Sequence, residues 1–332
     1  MTNNVQNDTL NLSTRDQHVI AAAYHRALSP VSEIARHGKL RTHTVRRTLQ
    51  RCIEERVITP KAFVDVYRLG YTQFELCYAT AAPSQRATQS FLAGLQRSPR
   101  VAWIGEYSGE YQYILTVCCR SPRELVRFIE ETTASPHVSV TKRLVAVRVS
   151  YTEFPLTCLS ERVKGDRPLM FGVEGVERID EKDHEILKHI SEDASLTTRE
   201  LARTIGLSQS ATIQRVRSLE RRGIVPGYSY VVDFSRLGLQ AFSIIISAKT
   251  HTAQLTKKIL EFARTHSEVI YVVEAVGAFD YKLGVLLERP SNIVMLAQEV
   301  SEQFAAEISW LTTLTAFDYR KVSRYPFHEL EP

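Results

Sequence analysis

The sequence predicts an α+β fold in which a small helical unit and a helix-bearing antiparallel sheet each occur twice along one chain. Three observations predict it. Three short helical patterns in residues 14–60 return in residues 178–228 at an offset of 167: Val19-Ile20 match Ile186-Leu187, and Val57-Ile58 match Ile224-Val225. A strand–helix–strand–strand–helix–strand order follows in 61–154 and again in 229–326. Between the halves, 155–177 holds Pro155, Gly165, Pro168, Gly172 and Gly175 with no sustained period, which reads as a linker.

In chain order, residues 1–13 are polar and read as a disordered tail. The first helical unit, 14–60, sets Glu33-Ile34-Ala35 against Glu200-Leu201-Ala202. Its third helix places Val45, Leu49 and Cys52 inward and leaves Thr42, His43, Arg47 and Gln50 outward, flanked by Arg46 and Arg51. Two departures stand out. Its turn reads His37-Gly38-Lys39, with the glycine one place early, and Arg56 stands where the other copy has Gly223.

From Tyr67 the period changes from helical to alternating. Arg68-Leu69-Gly70 return as Arg236-Leu237-Gly238, at an offset of 168. The first sheet unit reads as strand Gln73–Thr80, helix Ser84–Gln96, strands Val101–Tyr107 and Tyr111–Cys118, helix Pro122–Thr133 and a long strand Val138–Tyr151. The second repeats it with strands at 240–248, 268–275, 279–287 and 308–321 and helices at 253–265 and 290–304. Such an order is the ferredoxin-like arrangement, an antiparallel sheet with both helices on one face. The open face needs a partner, either the other copy or another chain, and homo-oligomers through the sheet units are expected.

The second helical unit, 178–228, has the clearer local chemistry. Asp180 is positioned as an N-cap for a helix from Glu181, and Ile186, Leu187 and Ile190 share one face. Thr197 and Glu200 form a capping box, and Gly206 ends that helix where a left-handed turn is needed. Ser208 can cap a third helix that closes at Gly223. Helix, short glycine turn and helix make a helix-turn-helix, whose last helix enters a DNA major groove. On that helix Thr212, Val216 and Leu219 face inward, while Gln209, Ser210, Gln214, Arg217 and Arg221 face outward, with Arg215 and Arg222 adding charge. Glutamine suits adenine and arginine suits guanine or phosphate, so double-stranded DNA is the expected partner.

The segment ILKHISEDASLTTRELARTIGLSQSATIQRVRSLERRGIVPGY, followed by YVVDFSRLG and later VGAFDYKLGVLL, resembles the Lrp/AsnC (feast/famine) regulators. The resemblance implies two winged helix-turn-helix domains and two ferredoxin-like ligand-sensing domains in tandem. It also implies an effector such as an amino acid at the turn between the second and third strands of a sensing domain. The matching positions are Gly277, Phe279, Asp280 and Tyr281 in the second copy and Gly109 in the first, where Gln112 replaces Asp280.

Net charge is +5, with a pI of about 8.9, which suits a nucleic-acid partner without demanding one. Five cysteines in no C-x-x-C spacing argue against both a disulfide framework and a zinc site. The ten histidines fit no ligand spacing, so no metal or cofactor is expected. No apolar run approaches a membrane span and the start lacks a signal-peptide pattern, so a cytoplasmic location is expected. Two other classes compete: a low-specificity architectural DNA binder, and an enzyme like the sirohaem decarboxylases, which resemble Lrp-type proteins and carry histidines around the corresponding hairpin. Here those positions read Ile270, Tyr271 and Gly277, and Ala102, Trp103 and Gly109, which weighs against proton-transfer chemistry and for a regulator that is no enzyme.

Overall fold

The computed structural model describes residues 12–134, 138–160, 162–163, 167–172 and 175–328. Most of the expected tail, residues 1–11, and Gly165 of the expected linker lie outside the described residues. The first half runs α1 (Thr14–Ala23), α2 (Val31–His37), α3 (Thr42–Glu54), β1 (Ile58–Phe63), β2 (Thr72–Ala81), α4 (Gln85–Arg97), β3 (Val101–Tyr107), β4 (Tyr113–Cys119), α5 (Pro122–Thr133) and β5 (Ser139–Glu153). After β6 (Leu169–Phe171) come α6 (Glu181–Glu192), α7 (Thr198–Ile205), α8 (Gln209–Arg221), β7 (Gly227–Val232) and β8 (Gln240–Ala248). The chain ends through α9 (Ala253–Thr265), β9 (Val269–Gly277), β10 (Tyr281–Leu287), α10 (Asn292–Gln303) and β11 (Ile308–Val322).

Local chemistry sets the helix ends. Asp180 accepts from the Asp183 amide, Ser208 accepts from the Ala211 amide, and Thr197 and Glu200 form the reciprocal box. Gly206 and Gly223 take the left-handed backbone at φ 68° and 70°. At the 167 offset the first copy has Lys39 and Arg56, and both hold the same conformation, at φ 52° and 55°. The two halves therefore share this backbone conformation without sharing the glycines. Gly38 serves packing instead, since a Cβ there would meet Ala22 Cβ at 2.9 Å. At Gly223 a side chain would meet nothing nearer than 3.8 Å, so the cost of filling it is one of backbone conformation. Gly223→Ala is expected to lower stability by about 1–2 kcal/mol, read from urea unfolding; an unchanged midpoint would contradict this.

The two ferredoxin-like sheets do not stay separate. In the nine-stranded sheet the order is β2-β4-β3-β11-β8-β10-β9-β5-β6, and β2 also pairs with β5. All strands but β6 thus close into one antiparallel barrel, joined across the halves by β3–β11 and β5–β9. The partner that each open sheet face requires is the other copy, within the same chain. Alternation then decides the rest. Phe74, Leu76, Ile104 and Leu115 point outward under α4 and α5, and Ile244, Ile246, Val272 and Leu283 do the same under α9 and α10. Cys77, Tyr107, Ile114, Ile245 and Val273 point into the barrel.

The wings pair too: β1 runs antiparallel to β7, from Ile58↔Val232 to Phe63↔Gly227. Two backbone bonds clasp the copies, Asp65 N–H to Ile224 C=O and Asp233 N–H to Val57 C=O, both 2.9 Å. The segment read as a linker differs from expectation. Leu156, Leu159 and Val163 are buried, β6 adds to β5, and Phe171 stacks on Tyr151 at 4.9 Å. Its glycines and prolines broke the period, but spaced apolar residues still anchor it.

Candidate nucleic-acid interface and effector turns

α3 and α8 are built alike. Val45, Leu49 and Cys52 bury one face of α3, as Thr212 and Leu219 do for α8, with Val216 packed beside them. That leaves Thr42, His43, Arg46, Arg47 and Gln50 exposed on α3, and Gln209, Ser210, Gln214, Arg217 and Arg221 exposed on α8. Among the described residues Arg46, Arg47, Arg217 and Arg221 have no ion-pair partner. Gln50 donates to Glu54 at 2.9 Å, and Ser210 lies 3.2 Å from the capping Ser208 hydroxyl.

Three other arginines expected to reach phosphate are engaged inside the protein. Arg51 pairs with Asp16 at 2.9 Å, and Thr48 donates to the same carboxylate. Arg215 bridges Asp180 and Asp183 at 2.8 and 2.7 Å. Arg222 pairs with Glu177 at 3.0 Å. Asp16 and Asp183 stand 167 residues apart, so in each copy an acid on the first helix pins the third helix. Burial alone would raise the Asp16 carboxyl, but its bonds from Ser13, Thr48 and Arg51 hold it below the usual range. The same balance holds Asp180 low, through the Asp183 amide and Arg215. Helical phase shows which residues leave a helix; it does not show which neighbouring acid will claim them.

At the turns expected to hold an effector, the side chains bond within the protein. Phe279 and Tyr281 are buried in the sheet core, and Gly277 (φ 128°) pairs against Ala146, leaving no room for a Cβ beside Val145 C=O. Asp280 accepts from the Ala248 amide at 2.8 Å and meets His251 Nδ1 at 3.1 Å. His251 Nε2 reaches Glu274 at 3.0 Å. Burial works to lower the His251 pKa, but these two carboxylates prevail and raise it. In the first copy Gln112 accepts from the Thr80 amide at 2.7 Å and donates to Gly109 C=O, so it bonds the strand end that Asp280 bonds 168 residues later. Both side chains shape a turn.

Sequence reasoning missed a buried ionic cluster inside the barrel. Glu75 takes Lys282 Nζ at 2.5 Å and a short bond from Arg148 Nη2. Arg148 also donates to Gln73 at 2.9 Å and Thr116 at 3.1 Å. Burial would raise the Glu75 pKa, but Lys282 and Arg148 bring it down to about 2. The signal was present: Gln73, Glu75, Thr116 and Lys282 hold the inward phase of strands that are otherwise apolar there. Among the described residues, no group of three or more His, Cys, Asp or Glu is placed to hold a metal ion.

Residues 179–225 match a family model described as winged helix-turn-helix DNA-binding, and 78–155 match one described as the Lrp/AsnC ligand binding domain. The chain is 33% identical over 131 residues to the proline dehydrogenase transcriptional activator of Rhodobacter capsulatus, covering 39% of this chain and 82% of that protein. It is 32% identical over 111 residues to the HTH-type transcriptional regulator LrpC of Bacillus subtilis, covering 33% and 76%. Along 96% of its length it shares the fold of the siroheme decarboxylase NirDL, with a TM-score of 0.58, 15% identity and 95% of that chain covered.

Proposed function

We infer the function from the premise that this chain belongs to the Lrp/AsnC family: it is a DNA-binding transcriptional regulator that carries two DNA-reading units in one chain. The observation that carries this is the matched pair of recognition helices, each packed on one side and exposing arginine with glutamine on the other. We take the paired wings and shared barrel to hold both helices as one unit, as two subunits would in a symmetric regulator. Exposed Arg46, Arg47, Arg217 and Arg221 are the proposed DNA contacts, supported by His43, Gln50, Gln209 and Gln214. Arg51 and Arg215 hold their helices in place.

Decarboxylation is not part of the proposal. The likeness to NirDL is one of fold, and the inward cluster is an ion pair network whose members bond one another. Regulation by a small effector is part of it, since the ligand-domain match covers much of the first sensing unit. Cytoplasmic residence goes with the role; among the described residues no helix is long and apolar enough to cross a membrane.

Salt dependence tests the reading. Each phosphate contact contributes a slope of about −0.9 in log affinity against log salt. Arg46→Ala is expected to make the slope shallower by about one and to weaken all sequences alike. Affinity indifferent to salt would overturn the DNA interface.

A further inference from the structure

Where the barrel meets the paired wings there is a cavity of about 170 Å³. Arg148, Lys282, Trp103 and Tyr271 line it from the barrel, and Phe63 and Val231 from β1 and β7. We propose that this junction binds a small aromatic monocarboxylate, with the carboxylate at Arg148 and Lys282 and the ring among the aromatic walls. The claim deepens the regulator reading by placing an effector site where it touches both wings.

Size comes first. An apolar cavity of about 150 Å³ takes up benzene, so this one suits a single aromatic ring with a small substituent. Its walls match: Trp103, Tyr151, Tyr271 and Tyr319 present rings, and Tyr151 stacks on Tyr271 at 5.5 Å. Charge comes second. Two cations, Arg148 and Lys282, share one anion, Glu75, so the cluster carries an excess of one positive charge (+2 − 1). The second pair on the wall, Arg324 with Glu153 at 3.2 Å, is balanced. Third, Arg148 is only 7% exposed, and its Nε has no hydrogen-bond partner. Arg324 Nη1 has none either. A buried donor without a partner is costly, and a carboxylate would satisfy it.

The same inventory excludes an amino acid. Glu75 is taken by Arg148, Lys282 and Thr116, and Glu153 by Ser229, Tyr151 and Arg324. Neither carboxylate is left to accept an α-ammonium group. The site also depends on the copies being unlike. At the 168 offset Glu75 faces Ser243 in the alignment of halves, and Lys282 faces Ile114. Identical halves would bring a second lysine and a second glutamate into the barrel. Here there is one site per chain.

Benzoate is the probe. The sequence has two tryptophans, so Trp310→Phe leaves Trp103 as the sole reporter in the intact protein. We expect benzoate to change Trp103 emission saturably at one per chain, with benzamide and phenylalanine weaker by about tenfold or more. Lys282→Met should weaken benzoate by a similar factor. Should that variant unfold, Ala102→Leu keeps every charge, fills the lining and should abolish the response. A missing benzoate response, an equal response to benzamide, or an undiminished response in Ala102→Leu would each overturn the proposal. DNA affinity measured on the same protein without benzoate separates this from the regulator reading, whose failure would appear as no binding there.

Discussion

Glu75→Ala is expected to destabilise the protein by about 3–5 kcal/mol at pH 7, the cost of leaving buried charges unpaired. Glu75 is fully buried, and two cations from opposite halves of the chain converge on it. Once the carboxylate is gone, Lys282 and Arg148 lose the anion they share, and their own repulsion then acts in a medium that screens poorly. The penalty depends on pH in a defined direction. The folded-state pKa of Glu75 is depressed to about 2 from 4.5, so the stabilisation is fully present above about 4.5 and is lost as pH falls toward 2. Urea unfolding of wild type and variant should therefore differ widely at neutral pH and converge near pH 2. A difference below about 1 kcal/mol at pH 7 would contradict this and mean that water screens the two cations.

Arg217→Ala is expected to relax base preference in one half-site only, at a cost of about 1–3 kcal/mol, because a bidentate arginine–guanine pair is worth that much. Arg217 is exposed and has no internal ion-pair partner, whereas Arg215, two residues earlier, is held by Asp180 and Asp183. Arg215→Ala should act differently. It should lower thermal stability and weaken all sequences together, because it removes the pin between α6 and α8. Binding to duplexes substituted one base pair at a time distinguishes the two outcomes. A uniform loss in Arg217→Ala would reassign that residue to the phosphate backbone.

Much of this architecture was legible where the determining chemistry is local. Asp180, Thr197 and Ser208 cap helices because a side-chain oxygen reaches an amide within three residues. Helical phase placed Val45, Leu49 and Leu219 inward, and all three are buried. What sequence could not show was set by residues far apart. The glycine of the first turn was sought at Gly38, but the backbone keeps its left-handed residue at Lys39 and uses Gly38 for contact with Ala22. Arg51, Arg215 and Arg222 read as added charge beside the contact faces, yet acids on preceding segments claim them. The Glu75–Lys282 bond spans 207 positions, and only barrel closure makes it visible. Asp280 looked like a ligand group because the turn around it resembles an effector turn; its oxygens are used by Ala248 and His251.

We propose that one chain presents two unlike DNA readers as a fixed pair. One helix exposes Gln209, Gln214 and Arg217, the other His43, Arg47 and Gln50. Selection from a random pool of duplex DNA by the intact protein tests this most directly. The expected product is an asymmetric pair of unlike half-sites, one degraded by Arg217→Ala and the other by Arg47→Ala. A selected motif of two identical half-sites, both degraded by Arg217→Ala and neither by Arg47→Ala, would contradict it and leave the N-terminal copy as a structural partner.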